Sequence, residues 1–445
     1  MIPATNVTDD PLAAGRAMYA LIEDLFPICR SITGPGVRET LARLGRHVPL
    51  TVREVLSGTR VLDWCVPNEW QVRDAYVKDA EGRRVIDFRR SNLHVVNYSV
   101  PVRATMTLEE LRPHLHTLPE HPDWVPYRTS YYEENWGFCL STRQLAEMGE
   151  GPYEVCIDSE LKAGSLTYGE LFLPGRTEDE VLFSCHVCHP SLCNDNLAGI
   201  AVATFLAQHV AALDRRYSYR FLFIPGTIGA ITWLALNEHD LSRVKHGLVL
   251  ALLGDAGKPT YKRSRRGEAE IDRAVAQVLR ETGRDHAIVD FDPYGYDERQ
   301  FCSPGFNLPV GRLTRTPNGQ YPQYHTSADD LSLVRPESLA DSLALCAAVV
   351  HILEHNRTYV NLCPKGEPQL GRRGLYGTLG GQRELAAVQQ AMLWVLSFSD
   401  GSTPLLEIAR RAAVPFESVR RAADLLAQHG LLEERAGPTS GRGEP

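Results

Sequence analysis

The stretch EVLFSCHVCHPSLCNDNLAGIAVATFLAQHV, residues 180–210, decides the fold. Its opening apolar run predicts a buried strand, and its closing apolar segment predicts a helix with Asn194 or Asp195 as the cap. A strand that leads at once into a helix is the unit from which α/β sheets are built. His186 would then lie at the carboxyl end of the strand, which is the edge of an open α/β sheet where ligands bind.

Three further predicted strands end in the same way. The run YRFLFIPG ends at Gly226, and GLVLALLGD ends at Asp255. The run NLPVGRL leads into YPQYHTSADD, which carries His325, Asp329 and Asp330. Because the carboxyl ends of parallel strands meet at one edge, these side chains converge with those of the first stretch. Imidazoles and carboxylates together suit Zn²⁺.

Simpler explanations exist for each part of this pattern. The three cysteines of the opening stretch could form a thiolate zinc site, although a closed site needs four ligands and the chain offers no second cysteine pair. Asp195 could be only a helix cap. Asp255 or His325, taken alone, is more typical of a polar loop residue. The coincidence of four such residues at strand ends favours the metal site.

The bulk composition is that of a globular protein. The chain has 445 residues, of which 43% are hydrophobic and 23% charged, so it is long enough for two or three domains. A formal net charge of -8 gives no general attraction to nucleic acid or anionic lipid. No segment approaches a membrane span or a signal peptide, and the ten cysteines are mostly scattered. These features predict a cytoplasmic protein.

Changes in composition along the chain predict six segments. Helical periodicity comes first, short β-rich runs follow, and strands then alternate with helices. A Pro- and Gly-rich stretch separates this region from three amphipathic segments with winged-helix spacing. The segments are N-terminal helices packing on the α/β domain (1–50), a β insertion subdomain (51–112), an α/β domain (113–360), a linker (361–384), a winged-helix module (385–436) and a tail (437–445).

Several motifs together resemble a known family. In the α/β segment they are HVCHPSLCNDNLAG, LLGDAG, DERQFCSPGFNLPVGRLTRT and YHTSADD. Elsewhere they are LFPICRSITG, VLDWCVPNEW, NLHVVNYSVPV and LSFSDGSTPLLEIA. In these motifs the chain resembles bacterial aminopeptidase-like proteins of unknown function that are related to zinc aminopeptidases. The resemblance implies an α/β fold with a zinc-aminopeptidase-like mixed sheet flanked by helices, a small β insertion and a C-terminal winged-helix module.

The resemblance also implies a metal centre. Carried over residue by residue, it places His186, Asp195 and Asp255 around one metal, with Asp195 reaching toward a second position served by His325. Asp329, or its neighbour Asp330, would lie outside the ligands. The implied cofactor is Zn²⁺, as one ion or two.

Two positions depart from the aminopeptidase pattern. Cys188 stands where aminopeptidases usually have an aspartate, which suggests weaker support for the ligands. Gly226 stands where the family usually has a glutamate that resembles a general base or a metal ligand. Glycine has no side chain to accept a proton, so the usual activation of a metal-bound water lacks its base. Asp329 or Asp330 could substitute for it.

The sequence therefore predicts a zinc-dependent, aminopeptidase-like enzyme, biosynthetic and with impaired or altered hydrolysis, that acts on a small amino-acid-like, aminoacyl or amide-containing substrate. The alternative is an inactive binding or scaffold protein, and a winged-helix regulator is a more distant alternative. The predicted last helix pairs Arg420 and Arg421 with Glu417 and Asp424, which argues against DNA recognition. Packing or a homo-oligomer contact is the expected role of this module, with neither nucleic acid nor membrane as a partner.

Overall fold

The structure is a computed structural model that describes residues 10–375 and 383–435. Within these residues the chain forms two compact units. The larger unit comprises residues 10–269 and 285–346, and the smaller one comprises residues 270–284, 347–375 and 383–435. The candidate site lies in the larger unit.

The described residues contain twelve α-helices, with shorter 3₁₀ and π turns between them. The helices are α1 (Pro11–Leu25), α2 (Pro35–Leu44), α3 (Leu108–Leu111), α4 (Thr142–Ala146), α5 (Gly199–Ala211), α6 (Ile228–Leu236), α7 (Glu270–Glu281), α8 (Glu298–Phe301), α9 (Pro336–His355), α10 (Arg383–Phe398), α11 (Leu405–Ala412) and α12 (Phe416–Gln428).

The strands of the described residues form two larger sheets, one three-stranded sheet and two short pairs. They are β1 (Thr51–Leu56), β2 (Arg60–Val61), β3 (Trp64–Cys65), β4 (Glu69–Lys78), β5 (Arg84–Asp87), β6 (Val102–Met106), β7 (Leu115–His116), β8 (Phe138–Cys139), β9 (Tyr153–Lys162), β10 (Ser165–Leu173), β11 (Glu180–His186), β12 (Ser218–Ile224), β13 (Val244–Leu250), β14 (Thr260–Lys262), β15 (Ala287–Val289), β16 (Val310–Thr314), β17 (Thr358–Asn361), β18 (Asp400–Pro404) and β19 (Leu432–Glu434).

The large sheet has the strand order β1-β10-β12-β11-β13-β16-β14-β15. Its four middle strands, β12, β11, β13 and β16, run parallel to one another. Strands β1 and β10 pair antiparallel with their neighbours, whereas β14 pairs antiparallel with β16 and parallel with β15. Every residue of β11 is buried, as expected for a central strand covered on both faces. The predicted mixed sheet is confirmed, and the carboxyl ends of the parallel strands share one edge.

The second sheet has the order β5-β4-β9-β6, with antiparallel neighbours throughout. This sheet corrects the predicted insertion limits of 51–112 at both ends. Strand β1 pairs with β10 in the large sheet, and the central strand β9 comes from beyond residue 112. Alternate residues of β4 and β9, such as Ala75, Val77 and Val155, are buried and hold the pairing. A local pattern predicts a strand but not such a distant partner.

The smaller unit contains α10, α11 and α12 and the antiparallel sheet β18-β17-β19. Because β17 (Thr358–Asn361) belongs to this sheet, the module begins before the predicted linker of 361–384. Helix α7 also belongs to this unit rather than to the predicted domain of 113–360: Glu281 accepts a hydrogen bond from Phe416 N at 2.8 Å, and Gln277 donates to Val414 O at 3.1 Å. Residues 376–382 of the predicted linker and the predicted tail of 437–445 lie outside the described residues.

Helix α9 is, within the described residues, the one helix whose length and apolar composition match a membrane span. The sequence alone predicts no such segment. Most of this apolar stretch is buried inside the protein, and the core helix of a folded domain has the same composition.

Candidate metal site at the edge of the large sheet

His186 is the last residue of β11, and its side chain is 1% exposed. Strand β11 lies between β12 and β13 and runs parallel to both, so its carboxyl end opens onto the common edge. The Nε2 atom of His186 lies 2.8 Å from Oδ1 of Asp195. The first two predicted residues are therefore brought together.

Asp195 lies in a kinked π-helical turn, Cys193–Ala198, that joins the loop after β11 to α5. The peptide bond from Asp195 to Asn196 is cis. No side chain caps α5, whose cap position is Ala198, so the helix-cap explanation of Asp195 is wrong. Its carboxylate faces histidine rings instead and is fully buried.

His325 reaches the same carboxylate from the loop after β16. Its Nε2 atom lies 3.0 Å from Oδ2 of Asp195, and its side chain is 35% exposed. Its backbone has a positive φ of 57° and accepts a hydrogen bond from Tyr127 N at 2.8 Å. His325 is the most open member of the cluster and faces the side from which a ligand can approach.

His189 completes the cluster and was not predicted. Its Nε2 atom lies 3.8 Å from Oδ2 of Asp195, and the side chains of His186, His189 and Asp195 present ligand atoms that all lie within 4.8 Å of one another. The buried guanidinium of Arg30 donates to the backbone oxygen of His189 at 2.8 Å and so fixes this loop. The sequence signal was present, because His189 is the second histidine of HVCHP.

The protonation states within the cluster suit metal binding. Burial alone would raise the pKa of Asp195, but His189 and the hydrogen bonds with His186 and His325 outweigh it and hold that pKa well below its usual range. Burial lowers the pKa of His189 to about 3. An ionised carboxylate beside a neutral imidazole is the state that a metal ion requires of its ligands.

Asp255, a predicted ligand, does not join this group. Its Oδ2 accepts hydrogen bonds from Asn194 Nδ2 at 2.9 Å and Thr316 N at 3.2 Å, and its Oδ1 accepts from Thr316 Oγ1 and Gly257 N, both at 2.6 Å. The strand β13 already ends at Leu250, so Asp255 lies in the following loop rather than at the strand end. Its carboxylate supports the turn that carries Asp195.

The two other predicted aspartates differ from each other. Both oxygens of Asp329 accept backbone hydrogen bonds, from Asn194 N at 2.6 Å and Asp195 N at 3.0 Å. Burial raises the pKa of Asp329 to about 8. Asp330 caps a turn through Ser332 N at 2.8 Å. Asp329 therefore holds the Asp195 turn, and the geometry supports neither residue as a replacement base.

Gly226 follows β12 at the same edge. Its N–H donates to Cys188 Sγ at 3.2 Å, and a Cβ atom there would meet Cys188 Sγ at 3.4 Å and His186 Cβ at 3.6 Å. These are ordinary contact distances, so a Cβ atom fits at this point. No carboxylate enters the site from this turn.

Asp297 is a buried acid that the sequence analysis missed. Its Oδ1 accepts a hydrogen bond from Thr227 N at 2.6 Å, next to Gly226. Its Oδ2 is buried and has no hydrogen-bond partner among the described residues. Burial raises the pKa of Asp297 to about 6. The signal available in the sequence was the motif DERQFCSPGF, which begins at this residue.

Tyrosine rings fix the histidines. Tyr296 stacks on His186 with ring centroids 4.6 Å apart, and Tyr324 stacks on His325 at 4.0 Å. The two tyrosine hydroxyls lie 3.2 Å apart and are hydrogen-bonded. This pair restricts the rotation of both imidazoles.

The thiolate alternative is wrong for the described residues. Cys185, Cys188 and Cys193 are all buried, and burial raises the pKa of each thiol. The Sγ atom of Cys188 accepts a hydrogen bond from Gly226 N, and no cysteine belongs to a potential metal-binding group in this part of the chain.

Comparison with solved structures shows the fold. A crystal structure of a Clostridium acetobutylicum protein, named there "putative peptidase", is 50% identical, with a TM-score of 0.91, over 96% of this chain and 97% of that chain. BSAP, a zinc aminopeptidase from Bacillus subtilis, is 13% identical, with a TM-score of 0.57, over 78% of this chain and 96% of that chain. At that identity the second likeness shows the aminopeptidase fold alone.

Sequence comparison shows the family. A Clostridium acetobutylicum protein, named "putative polysaccharide biosynthesis protein with aminopeptidase-like domain", is 52% identical over 419 residues, which are 94% of this chain and 96% of that protein. Residues 357–434 match the winged helix-turn-helix family, which confirms the predicted C-terminal module. Residues 19–356 match the family described as a domain of unknown function, DUF4910. The chain belongs to this DUF4910 family of aminopeptidase-like proteins.

Proposed function

We propose that this chain is a zinc-dependent, aminopeptidase-like enzyme that acts on a small amino-acid-like or amide-containing substrate with altered hydrolytic chemistry. The observation that carries the proposal is the set of three imidazoles around the buried carboxylate of Asp195. Nitrogen and oxygen donors of this kind are those that Zn²⁺ takes in proteins. The name of the Clostridium relative supports a biosynthetic role.

The residues that would hold the ion are His186, His189, Asp195 and His325. A bound zinc ion would polarise a carbonyl and lower the pKa of a water molecule. Asp195 presents one oxygen to His186 and the other to His325, so a single carboxylate would serve as a ligand beside both imidazoles. Tyr296 and Tyr324 hold the imidazoles of His186 and His325 at fixed angles, which preorganises the site.

Asp297 is the carboxylate best placed to accept a proton where Gly226 offers none. It is buried and lies against the backbone of Thr227, and one of its oxygens has no partner among the described residues. The oxygens of Asp329 are already engaged by backbone N–H groups. Asp297 does not lie on the turn after β12, where the expected glutamate is replaced by Gly226. We therefore expect hydrolysis of simple aminoacyl amides to be slower than the ordinary enzyme range of about 1 to 10³ per second.

Zinc analysis tests the site. We expect zinc in the purified wild type and less zinc in Asp195→Ala, His325→Ala and His189→Ala. Asp330→Ala is the matched control, because its carboxylate only caps a turn. Unchanged zinc stoichiometry in all three site variants would contradict the proposal.

Turnover of an aminoacyl amide panel separates the enzyme from its main alternative. Slow, zinc-dependent turnover supports the proposed enzyme. Bound zinc without any turnover favours an inactive binding or scaffold protein built on the same fold.

The C-terminal module is proposed to pack or to join subunits rather than to bind DNA. In α12, Arg420 is held by Glu417 and Asp424, and Arg421 by Glu417. These cations are neutralised on their own helix, whereas DNA affinity depends on neutralising phosphates. A sequence-selective complex with genomic fragments that survives physiological salt would overturn this proposal, and sedimentation gives the oligomeric state.

A further inference from the structure

A cavity of about 490 Å³ lies against the last three strands of the large sheet. Alternate residues of these strands form its floor, because successive side chains of a strand point to opposite faces. They are Thr260, Lys262, Ala287, Val289, Arg312 and Thr314. Loop residues on either side complete the walls. The cavity is thus built on one face of β14, β15 and β16.

Two buried cations in this floor share one carboxylate. The side chains of Lys262 and Arg312 are 4% and 6% exposed, and both face Oε1 of Glu298, at 2.5 Å and 3.5 Å. Arg312 also donates to Asn318 Oδ1 at 3.0 Å, but its Nε–H is buried without a hydrogen-bond partner among the described residues. An excess buried positive charge is unfavourable unless an anion offsets it.

The other charged residues of the cavity are already balanced or lie at its rim. Arg315 is paired with Asp341 at 2.8 Å, and Lys258 with Asp285 at 3.3 Å. Asp292 is exposed at the rim. The unbalanced charge is therefore the inner one, beside the threonine hydroxyls of the floor.

The cavity adjoins the candidate metal site. The guanidinium of Arg312 lies 5.4 Å from the centroid of the Tyr296 ring, and the same ring stacks on His186. Thr316, a further lining residue, donates to Asp255, which in turn holds Asn194 of the metal-site turn. The ring of Tyr296 therefore lies between Arg312 of the cavity and His186 of the candidate metal site.

We propose that this cavity binds an oxyanion group of the substrate, a carboxylate or a phosphate, while its amine or amide end lies at the histidine cluster. As a subsite of the enzyme this inference rests on the proposed function. Arginine provides the directed, charge-assisted hydrogen bonds that such groups accept, and Arg312 lines this cavity beside the second buried cation, Lys262. The size of the cavity also lies within the usual range of small-ligand sites.

Anion titration of zinc-stripped protein tests the cavity alone. Inorganic phosphate and acetate are titrated separately by calorimetry into wild type, Arg312→Gln and Ala287→Leu. The first variant removes one of the two inner cations, and the second fills the cavity with an apolar side chain without altering any ion pair. Arg176→Gln is the control, since Arg176 forms an exposed ion pair with Asp214. We expect wild type and control to bind at least one anion, and both cavity variants to bind it at least about tenfold more weakly.

The outcomes separate the two possible groups and the two proposals. Binding of phosphate alone assigns a phosphate-bearing substrate, and binding of acetate alone assigns a carboxylate. If circular dichroism shows that Arg312→Gln is unfolded, anion binding by Ala287→Leu still tests the cavity site, because this variant leaves the ion pairs in place. Equal binding in wild type and Ala287→Leu, or no binding by the zinc-stripped wild type, overturns the cavity site. Anion binding by a protein that never takes up zinc would refute the proposed enzyme and leave the anion site standing.

Discussion

Two strand-to-helix turns lie side by side at the edge of the large sheet, and they differ in what they offer. The turn after β11 carries His186, His189 and Asp195, and its backbone is held by Asp329. The turn after β12 carries Gly226 and contributes no functional side chain. The groups suited to hold a metal lie on the turn after β11 and on the loop after β16, whereas Asp297, the group proposed to accept a proton, lies just before α8. The proton-accepting group can therefore change in sequence while the metal-holding groups are kept.

The largest effect is expected from Asp297→Asn, because Asp297 is the proposed substitute for the missing carboxylate. Asparagine can keep the hydrogen bond from Thr227 N but cannot accept a proton, so the residual turnover of aminoacyl amides should fall about 10²-fold or more. Zinc content should not change.

The pH profile gives an independent check on Asp297. Burial raises the pKa of Asp297 to about 6, and a base must be ionised, so wild-type turnover should fall as the pH drops below about 6. This acid limb should vanish in Asp297→Asn. Full activity of that variant, with the limb unchanged, would return the base role to another group.

An intermediate effect is expected from Asp329→Asn, which weakens the turn after β11. The amide can accept only one of the two backbone N–H bonds, which leaves a buried donor unpaired at a cost of about 1–3 kcal/mol in unfolding free energy. Zinc affinity should fall about 10- to 100-fold, as for other residues that support metal ligands. Chemical denaturation and zinc titration measure the two effects. Asp330→Asn should change neither by more than about 0.5 kcal/mol.

The smallest effect is expected from Gly226→Glu, which adds a carboxylate to the turn after β12. The backbone has room for a Cβ atom, with its nearest contacts at 3.4 Å and 3.6 Å. We expect turnover of aminoacyl amides to rise about tenfold, less than the full 10²–10⁴ of a positioned base, because nothing around the new side chain orients it. Gly226→Gln has the same size without the charge. An equal gain in both variants would show that shape, rather than the carboxylate, was lacking.

The sequence alone predicts the centre of the large sheet and part of the site. His186, Asp195 and His325 come together because parallel strands bring their carboxyl ends to one edge. Asp255 was misplaced because β13 ends before it. An error of a few residues in the predicted end of a strand changes where a side chain points. His189 and Asp297 were missed, since each lies in irregular backbone whose path no periodicity reveals.

Non-local pairing explains the errors in domain limits. The buried face of α7 is visible in its sequence, with Ile271, Val275 and Val278 at helical spacing, but periodicity does not say which unit covers that face. Likewise β17 is too short and isolated to be recognised as part of the C-terminal sheet before its partners are seen.

The pairing of β4 with β9 also has a consequence for folding. Glu69 lies opposite Lys162, so the two strands meet only after a long stretch of intervening chain has been made. Contacts of such large sequence separation slow folding, since the loop must close before the pairing stabilises anything. During synthesis on the ribosome, the apolar residues of β4 therefore stay unpaired with their central partner strand until β9 emerges. A fragment that ends at residue 112 would be left permanently in that state and prone to aggregation.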